Sequence, residues 1–440
     1  HKDQPDVPVQ LLSGLPGDLY VLRSGVRAAE DRAEANHTVR FSAGQTTYEL
    51  GDGAEVLEVP LRWQSDDGIV VDKIYRLRRG NYAIELEQKI SNNSDAPYHA
   101  AGYLQLLRQY VPIERSMFDV DSYSFRGPVI YDGEKYEKLD VEDLQEAPFT
   151  QQLAGGWLAS IEHHFLAAAV PPATDNDRYQ VSYDGRRYMM STIGPLQTIA
   201  PGESLVLPAQ FFVGPKLQRQ LDEVADGLSL TVDYGVLALL AQPLFWLLEK
   251  VHSFVGNWGW AIIIVTLLIK LVFYKLTEAS GRSMAKMRKL QPRLKALQER
   301  HKDDRPALSQ AMMELYKREK VNPAAGCLPM LIQIPFFIAF YWVLLESVET
   351  RQAPFMLWIT DLSSRDPYFI LPLLMGAAMY FQQQLNPAPP DPIQAKVMQF
   401  LPVMFTAFFA FFPAGLVLYW LTNSLLSIAQ QWRINKVVNA

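Results

Sequence analysis

The sequence predicts a multidomain protein in which an all-β domain precedes an α-helical membrane bundle of five spans with a cytoplasmic helical hairpin. Residues 1–230 carry 21 Lys and Arg against 34 Asp and Glu, a net charge of −13, and alternate short apolar segments with turn residues. Residues 231–440 carry 20 basic and 13 acidic residues, a net charge of +7, and contain long uncharged runs. Charge and hydropathy change at the same place, so the two parts are predicted to face different surroundings.

The acidic part is predicted to form a large β-sandwich. Its clearest hairpin pairs Ile69–Leu77 with Tyr82–Ile90 through the turn Arg78–Asn81, and apolar residues alternate with charged ones along the second strand. Strands without interleaved helices are typical of a sandwich. Further strands are predicted at Val56–Trp63, His99–Tyr110, Trp157–Val170, Tyr179–Tyr183 and Ser204–Val213.

This acidic part offers little chemistry. His163 and His164 could bind a metal ion, but neighbours on one strand point to opposite faces, so no metal site is predicted. Cys327 is the single cysteine, which excludes a disulfide within the chain. Four aromatic residues could line a sugar-binding cleft, although aromatics at strand spacing more often pack in a core. They are Trp63, Tyr103, Trp157 and Phe165.

A linker joins the two parts. Leu217–Leu228 predicts a short linking helix, and Val236–Phe254 predicts an amphipathic helix that lies in the membrane interface, because Pro243 and a polar face make it a poor span. The predicted domains are 1–228 for the β-sandwich, 229–255 for the linker and interfacial helix, and 256–440 for the membrane core. The chain begins at His1 without a signal peptide, so export of the β domain predicts a further span upstream.

The first predicted span, Trp258–Lys275, contains one internal charge, Lys270. A charge is costly in hydrocarbon, so a lysine inside a span is a candidate functional residue. Thr266 lies four residues earlier on the same helix face. The alternative is that Lys270, about five residues and roughly 8 Å from the cytoplasmic end, extends its amine to the headgroups. For Thr266 the alternative is a hydroxyl bonded to the preceding turn.

The segment after this span fixes the predicted orientation. Residues 275–320 contain 13 basic residues and six acids, and short loops rich in Lys and Arg stay in the cytoplasm. Within it, Thr277–His301 and Pro306–Lys320 are predicted to form an antiparallel helical hairpin, residues 277–320. Such a surface is either simply solvated or meets anionic lipid, ribosomal RNA or a nascent chain.

Four further uncharged spans are predicted, which places the C-terminus in the cytoplasm. Several are about 16–19 residues long, short for a hydrocarbon core of about 30 Å. Their polar residues, which include Gln333, Gln382–Gln384, Thr406, Asn423 and Ser424, either line a wet groove or hold the helices together. The predicted spans are Cys327–Leu345, Tyr368–Leu385, Val397–Phe412 and Ala414–Gln430.

Several motifs in the basic part resemble the YidC membrane-protein insertase family, and the similarity runs from Leu230 to Gln431. They are Gly256-Asn257-Trp258-Gly259, Ser283-Met284-Ala285-Lys286-Met287, Val321-Asn322-Pro323, Gly326-Cys327-Leu328-Pro329, Leu331-Ile332-Gln333 with Pro335, Arg351-Gln352-Ala353-Pro354-Phe355, and Phe412-Pro413-Ala414-Gly415-Leu416-Val417-Leu418-Tyr419. The acidic part resembles, more loosely, the periplasmic β-supersandwich of Gram-negative members.

The resemblance implies a five-helix core around a hydrophilic groove, in which one cation, usually arginine, attracts the polar part of an incoming client. By position that cation is Lys270, which keeps the charge but lacks the planar fork of arginine. Thr266, Gln333 and Trp420 fall on or beside groove positions. The hairpin is implied to receive clients, and its candidate residues are Lys286, Arg288, Lys289 and Arg293.

The expected function is therefore that of a non-enzymatic insertase and chaperone in the bacterial inner membrane, with no cofactor, metal or catalytic residue. Its implied partners are nascent membrane proteins, the lipid bilayer, the Sec translocon and the ribosome, without recognition of a nucleic-acid sequence. The absence of a phosphate-binding loop predicts that it hydrolyses no nucleotide. Two alternatives stay open at this point. One is a small-solute transporter that uses Lys270 as an anion site, and the other is a carbohydrate-binding or sugar-modifying β domain on a membrane anchor.

Overall fold

A computed structural model describes residues 7–112, 124–301, 304–319, 324–385 and 392–439. The chain forms two compact units, the first ending at Val232 and the second beginning at Asp233. The predicted hairpin end at Lys320 and the motif Val321-Asn322-Pro323 lie outside the described residues.

The first unit is an antiparallel β-sandwich. Its strands are β1 Tyr20–Ala28, β2 Ser42–Ala43, β3 Val56–Gln64, β4 Ile69–Arg78, β5 Ala83–Asn92, β6 Tyr98–Gln109, β7 Gly127–Tyr131, β8 Tyr136–Lys138, β9 Phe149–Ala154, β10 Trp157–Ile161, β11 Phe165–Val170, β12 Asn176–Tyr183, β13 Arg187–Ile193, β14 Gln197–Ile199 and β15 Ser204–Pro215. In its described residues one sheet has the strand order β1-β6-β13-β12-β9, with β14 also paired to β6, and the other has the order β2-β3-β4-β5-β15-β11-β10-β7-β8. A short helix α1 (Val141–Glu146) precedes β9, and α2 (Gln218–Val224) follows β15.

The predicted all-β sandwich is confirmed, and its core lies between the sheets. Leu106 on β6 and Leu158 on β10 are fully buried in one apolar cluster, as expected for inward-facing positions of opposed sheets. The hairpin of β4 and β5 is also confirmed, and Gly80 has the positive φ (72°) that its turn requires. Of the four aromatics weighed for a sugar cleft, Tyr103 and Trp157 are buried, whereas Trp63 and Phe165 are half-buried.

The prediction of one strand from Trp157 to Val170 is wrong. The segment is a hairpin of β10 and β11, and Ile161 pairs with Leu166 across its turn. His163 and His164 lie in that turn, where their rings stack with centroids 3.8 Å apart, so the argument that they point to opposite faces also fails. Both rings are buried, and no group of three or more metal-ligating side chains occurs among the residues the structure describes.

Asp177 on β12 has a buried carboxyl group, which lowers the stability of the sandwich when it is ionised. It is 3% exposed, and burial together with the neighbouring carboxylate of Asp175 raises its pKa from 3.8 to about 6. The folded state therefore binds the Asp177 proton more tightly than the unfolded state does. Its contribution to the free energy of unfolding is fully present below about pH 4, where the carboxyl is neutral in both states. That stabilisation is lost as the pH rises through about 6.

Asp177→Asn is therefore expected to stabilise the first unit at neutral pH by about 1–2 kcal/mol, allowing for partial screening by water. The gain should vanish below about pH 4, where wild-type Asp177 is neutral. Calorimetric unfolding of the full chain in detergent at both pH values measures it, with Asp66→Asn at an exposed site as the matched control. An equal gain at both pH values would contradict the titration of Asp177.

The second unit is helical. Two of its helices form the predicted hairpin: α5 (Tyr274–Arg300) and α6 (Arg305–Arg318), whose N-terminus is capped when Asp304 accepts a hydrogen bond from the Ala307 N–H at 2.9 Å. The other helices are α3 Ala238–Val255, α4 Trp258–Val272, α7 Ala324–Glu346, α8 Ile370–Leu385, α9 Pro392–Phe409 and α10 Ala414–Asn439.

By length and composition, no single helix among the described residues meets the requirements for a membrane span. Helices α4 and α5 meet them together, as a pair bent by 70°, and Leu331–Glu346 and Ala395–Phe409 are shorter apolar helices.

The prediction of an unbroken helix from Trp258 to Lys275 is wrong, because α4 ends at Val272. Side-chain hydrogen bonds join the first turn of α5 to α10. The Thr277 hydroxyl lies 3.0 Å from the carbonyl oxygens of both Phe273 and Tyr274. Gln430 on α10 donates to the Tyr274 carbonyl at 3.3 Å and to the Thr277 hydroxyl at 2.7 Å.

Candidate functional site

Lys270 lies in the last turn of α4 and turns toward α10. It is 9% exposed, and its Nζ donates a hydrogen bond of 2.9 Å to the Ser427 hydroxyl. No ion pair among the described residues includes this amine. The next residue, Leu271, is 57% exposed on the other face of the helix. The amine therefore points into the helical unit, and not along the snorkelling route that the sequence left open.

Ser427 connects Lys270 to a polar group shared by two more helices. The Ser427 hydroxyl donates to the backbone carbonyl of Asn423 one turn earlier, at 2.7 Å. The Asn423 side-chain oxygen accepts a hydrogen bond of 3.2 Å from Gln333 on α7. Lys270, Gln333, Asn423 and Ser427 form what we call the polar cluster, which joins α4, α7 and α10.

The polar cluster has a buried side and an accessible side. Lys270 is nearly covered, whereas Gln333, Asn423 and Ser427 are each half-buried. A lysine amine carries three donors, and the cluster supplies one acceptor for it among the described residues. The arrangement can therefore offer a positive charge and amide groups to a polar ligand, while apolar helix surface surrounds it.

Thr266 lies one turn before Lys270 on the same face of α4, and it is 1% exposed. Its hydroxyl donates to the Ile262 carbonyl at 2.6 Å. That bond satisfies the hydroxyl within its own helix, as the alternative interpretation of Thr266 expected. Thr266 therefore supports the wall beside the polar cluster and makes no hydrogen bond to Lys270.

Trp420 lies apart from the polar cluster, in an aromatic group. Its ring is 4.6 Å from that of Phe337 on α7, 5.0 Å from that of Phe409 and 5.8 Å from that of Phe405, both on α9. Trp420 is half-buried. The structure thus brings Lys270 and Gln333 into one hydrogen-bonded group and places Trp420 in an aromatic group formed by α7, α9 and α10.

Ser427 is the functional candidate that the sequence reasoning missed. Asn423 and Ser427 are four residues apart, so they lie on one face of α10. That spacing repeats the Thr266–Lys270 spacing on α4, and it was the signal available in the sequence. Lys270 contacts Ser427 and not the buried Ser424 because of the rotation of α10 relative to α4, which the sequence does not show.

The four candidate residues of the hairpin all lie on the exposed side of α5. Arg293 forms an ion pair of 2.6 Å with Glu319, which follows α6, and Arg288 donates to the Leu385 carbonyl at 3.4 Å. Lys286 and Lys289 are exposed as well. Leu290 and Leu294 of the same helix are buried. The hairpin thus presents a basic surface.

Large apolar side chains are exposed along the outer faces of the helices. Leu271 on α4, Leu373 on α8 and Val403 on α9 are each at least 57% exposed. Apolar surface of this extent marks contact with lipid or with another protein.

Comparison with known proteins decides the family. Residues 1–247 match the YidC periplasmic domain, and residues 250–440 match the 60Kd inner membrane protein family. The membrane protein insertase YidC of Nitrosococcus oceani is 52% identical over 437 residues, which cover 99% of this chain and 79% of that protein. The chain belongs to the YidC family of membrane protein insertases. The same insertase of Methylococcus capsulatus is 50% identical over 442 residues, which cover 99% of this chain and 80% of that protein.

A crystal structure of an active YidC insertase with its first transmembrane domain resolved aligns with a TM-score of 0.43 and 19% identity, over 94% of this chain and 83% of that one. As a YidC family member, the protein is an inner membrane insertase with a periplasmic β domain, and it handles membrane-protein clients in the lipid bilayer.

Proposed function

We propose that the polar cluster receives the hydrophilic tail of a client while the client's apolar segment passes into lipid. The observation that carries this proposal is the Lys270 amine, which is directed inward to Ser427 and nearly covered, within helices whose outer faces are apolar. Amide groups and one cation can replace part of the hydration of a short polar tail, which lowers the cost of bringing it partway across the bilayer.

The driving force comes from the client. Burial of apolar surface in lipid yields about 25 cal/mol per Å², and a client span contains about 20 apolar residues. This gain exceeds the cost of moving a short, partly solvated tail, so insertion proceeds without nucleotide hydrolysis or a cofactor. In this proposal, residues 1–228 are the periplasmic domain and 256–440 the five-span core. The hairpin and the C-terminus lie in the cytoplasm, where the basic surface of α5 meets clients.

Helix α3 supports the predicted interfacial position of the linker, 229–255. Trp246 is 58% exposed and Phe254 is 88% exposed, whereas Ala241, Leu248 and other residues of the opposite face are buried. An amphipathic helix with exposed aromatic residues suits the boundary between headgroups and acyl chains.

Site-specific photocrosslinking to a stalled nascent membrane protein tests the proposal. Probes at Gln333, Trp420 and Thr266 are expected to crosslink the client. The strongest crosslink is expected at Gln333, which is half-buried and belongs to the polar cluster, and the weakest at Thr266, which is buried. A probe at Leu271, on the exposed apolar face of α4, is the matched control and should crosslink lipid in preference to the client's polar tail. Crosslinks to the tail from Leu271 alone would overturn the assignment of the polar cluster. Whether insertion proceeds beside the Sec translocon or on a bound ribosome is read from crosslinks of the same probes to those partners.

Removing residues 1–215 is expected to leave insertion largely unchanged, because the polar cluster lies entirely within the second compact unit. Proteoliposomes that contain the shortened chain and an inserting client measure this. Lys270→Ala in the shortened chain should cause the same defect as in the full chain. If the shortened chain is present in the membrane but inactive, the β domain has a direct part in insertion and the proposal fails.

A further inference from the structure

Helix α6 carries an apolar stripe that stays accessible after the helical hairpin has formed. Leu308, Met312 and Tyr316 recur every four residues, so they lie on one side of the helix, and Met313 lies beside them. These four side chains line a shallow open groove. Met313 is 54% exposed, and the other three are half-buried. We call these four residues the α6 stripe.

The α6 stripe is distinct from the buried side of the helix. Leu315 is 7% exposed, and Met313, two residues earlier, points to nearly the opposite side of α6. Gln310 and Glu314 are exposed and lie across the helix from Met312, since each is two residues away from it. The helix is therefore apolar over more than its packed side. Exposed apolar surface of this kind indicates contact with a membrane or with another protein.

The direction of α5 places the hairpin along the membrane. Helix α5 bends by 70° from α4, so with α4 across the bilayer, as proposed above, α5 runs close to the plane of the membrane surface. Arg288 of α5 donates to the carbonyl of Leu385, the last residue of α8, at 3.4 Å. The ion pair of 2.6 Å between Arg293 and Glu319 brings the end of α6 back to α5. Helix α6 therefore follows α5 along the ends of the membrane helices.

Charge favours an anionic lipid surface as the partner of the α6 stripe. Lys317 follows Met313 by four residues and is exposed, so an ammonium group borders the stripe. Residues 275–320 carry 13 basic and six acidic residues. Apolar side chains bordered by basic ones are typical of helices that lie on anionic membranes, where lysine extends its amine to the headgroups. Flexible methionine side chains and the amphipathic ring of tyrosine suit the same boundary.

We propose that the α6 stripe is a lipid-contact surface, which enters the boundary of the acyl chains while Lys317 meets an anionic phospholipid headgroup. This contact holds the hairpin against the membrane and leaves the basic surface of α5 available to clients. The proposal rests on the membrane orientation proposed above. It makes no use of the polar cluster, so its failure would leave the proposed role of that cluster untouched.

Quenching by brominated phospholipids tests the contact in the full chain. Cys327→Ser removes the single cysteine, and Met313→Cys then carries a nitrobenzoxadiazole label, in a chain that retains client insertion. In vesicles of phosphatidylcholine and phosphatidylglycerol, bromine on the acyl chains should lower the emission of this label by about half or more. The matched control, a label at Gln310→Cys on the exposed polar side, should lose little emission. Both leaflets contain bromine, so the result does not depend on the orientation of the reconstituted chain.

Lys317→Glu tests the charge in the chain labelled at Met313→Cys. It should reduce the quenching by about twofold or more in vesicles with phosphatidylglycerol, because a carboxylate is repelled by anionic headgroups. In phosphatidylcholine alone it should have little effect. The proposal is overturned if the Met313 label is not quenched, if the Gln310 label is quenched equally, or if Lys317→Glu has no larger effect in the anionic vesicles. A Met313 label whose emission changes only when a stalled client is added would also overturn it, and would assign the α6 stripe to the client's apolar segment.

Discussion

Replacing Lys270 with alanine is expected to reduce insertion of clients with acidic translocated tails by about tenfold or more, since one charge-assisted contact is lost. Clients whose tails are short and uncharged should be affected much less, because their transfer into lipid does not use the cation. The expectation follows from the position of the amine, which is directed to Ser427 and counterbalanced by no carboxylate in the described part of the chain.

Two variants separate charge from packing. Lys270→Arg keeps the positive charge and adds a planar fork, so it should retain activity toward acidic tails if the larger group is accommodated. Lys275→Ala removes the same charge from an exposed position five residues later, and it should leave insertion close to wild type. Insertion into proteoliposomes, scored by protease protection of matched acidic and neutral tails, gives the comparison. Equal losses for both tails in Lys270→Ala would exclude a role for the cation in attracting the tail.

The fold was predictable where local pattern and tertiary structure agree. The β4–β5 hairpin follows from alternation and from the turn at Gly80. The helical hairpin of α5 and α6 follows from helix-forming basic residues with a short connection. The division between Trp157 and Val170 was missed because both strands are apolar and the turn at His163 contains neither Gly nor Pro. In the sequence, the two buried strands therefore resemble one continuous apolar strand.

The site was only partly predictable for a different reason. Lys270 and Gln333 stand out because polar groups are rare inside apolar helices. Their connection through Asn423 and Ser427 depends on how α4, α7 and α10 rotate and pack, which composition does not determine. The bend after Val272 was missed because the apolar segment continues through Phe273 without Gly or Pro. The contact of the following turn with Gln430 joins residues that are distant in sequence.

The segment between α7 and α8 contains a buried carboxylate whose loss is expected to have the largest effect on stability. Asp366 is 1% exposed and accepts three hydrogen bonds: from the Trp358 indole N–H at 2.9 Å, and from the backbone N–H groups of Tyr368 at 3.0 Å and Leu371 at 2.7 Å. The bond to Leu371 satisfies a donor in the first turn of α8, where a negative charge also favours the helix dipole.

Asp366→Ala is expected to lower the free energy of unfolding of the second unit by about 3–5 kcal/mol, because it leaves one buried and two partly buried donors without their acceptor. Asp366→Asn keeps one acceptor oxygen and should cost about half as much. The matched control is Asp304→Ala, which removes an exposed cap with a single bond to Ala307 and should cost about 1 kcal/mol. Unfolding of the purified chain in mixed detergent micelles measures all three.

The comparison between Asp366 and Asp304 measures the effect of burial on the stability that a carboxylate contributes. Both carboxylates accept hydrogen bonds at a helix N-terminus in the same unit. If Asp366→Ala cost no more than Asp304→Ala, water would have to reach the three donors, and the packing of Trp358 against this segment would be looser than the geometry indicates. A loss of insertion without a loss of stability would instead assign Asp366 a part in handling clients. The expected result is the reverse: reduced stability, with insertion activity retained by the fraction of molecules that stays folded.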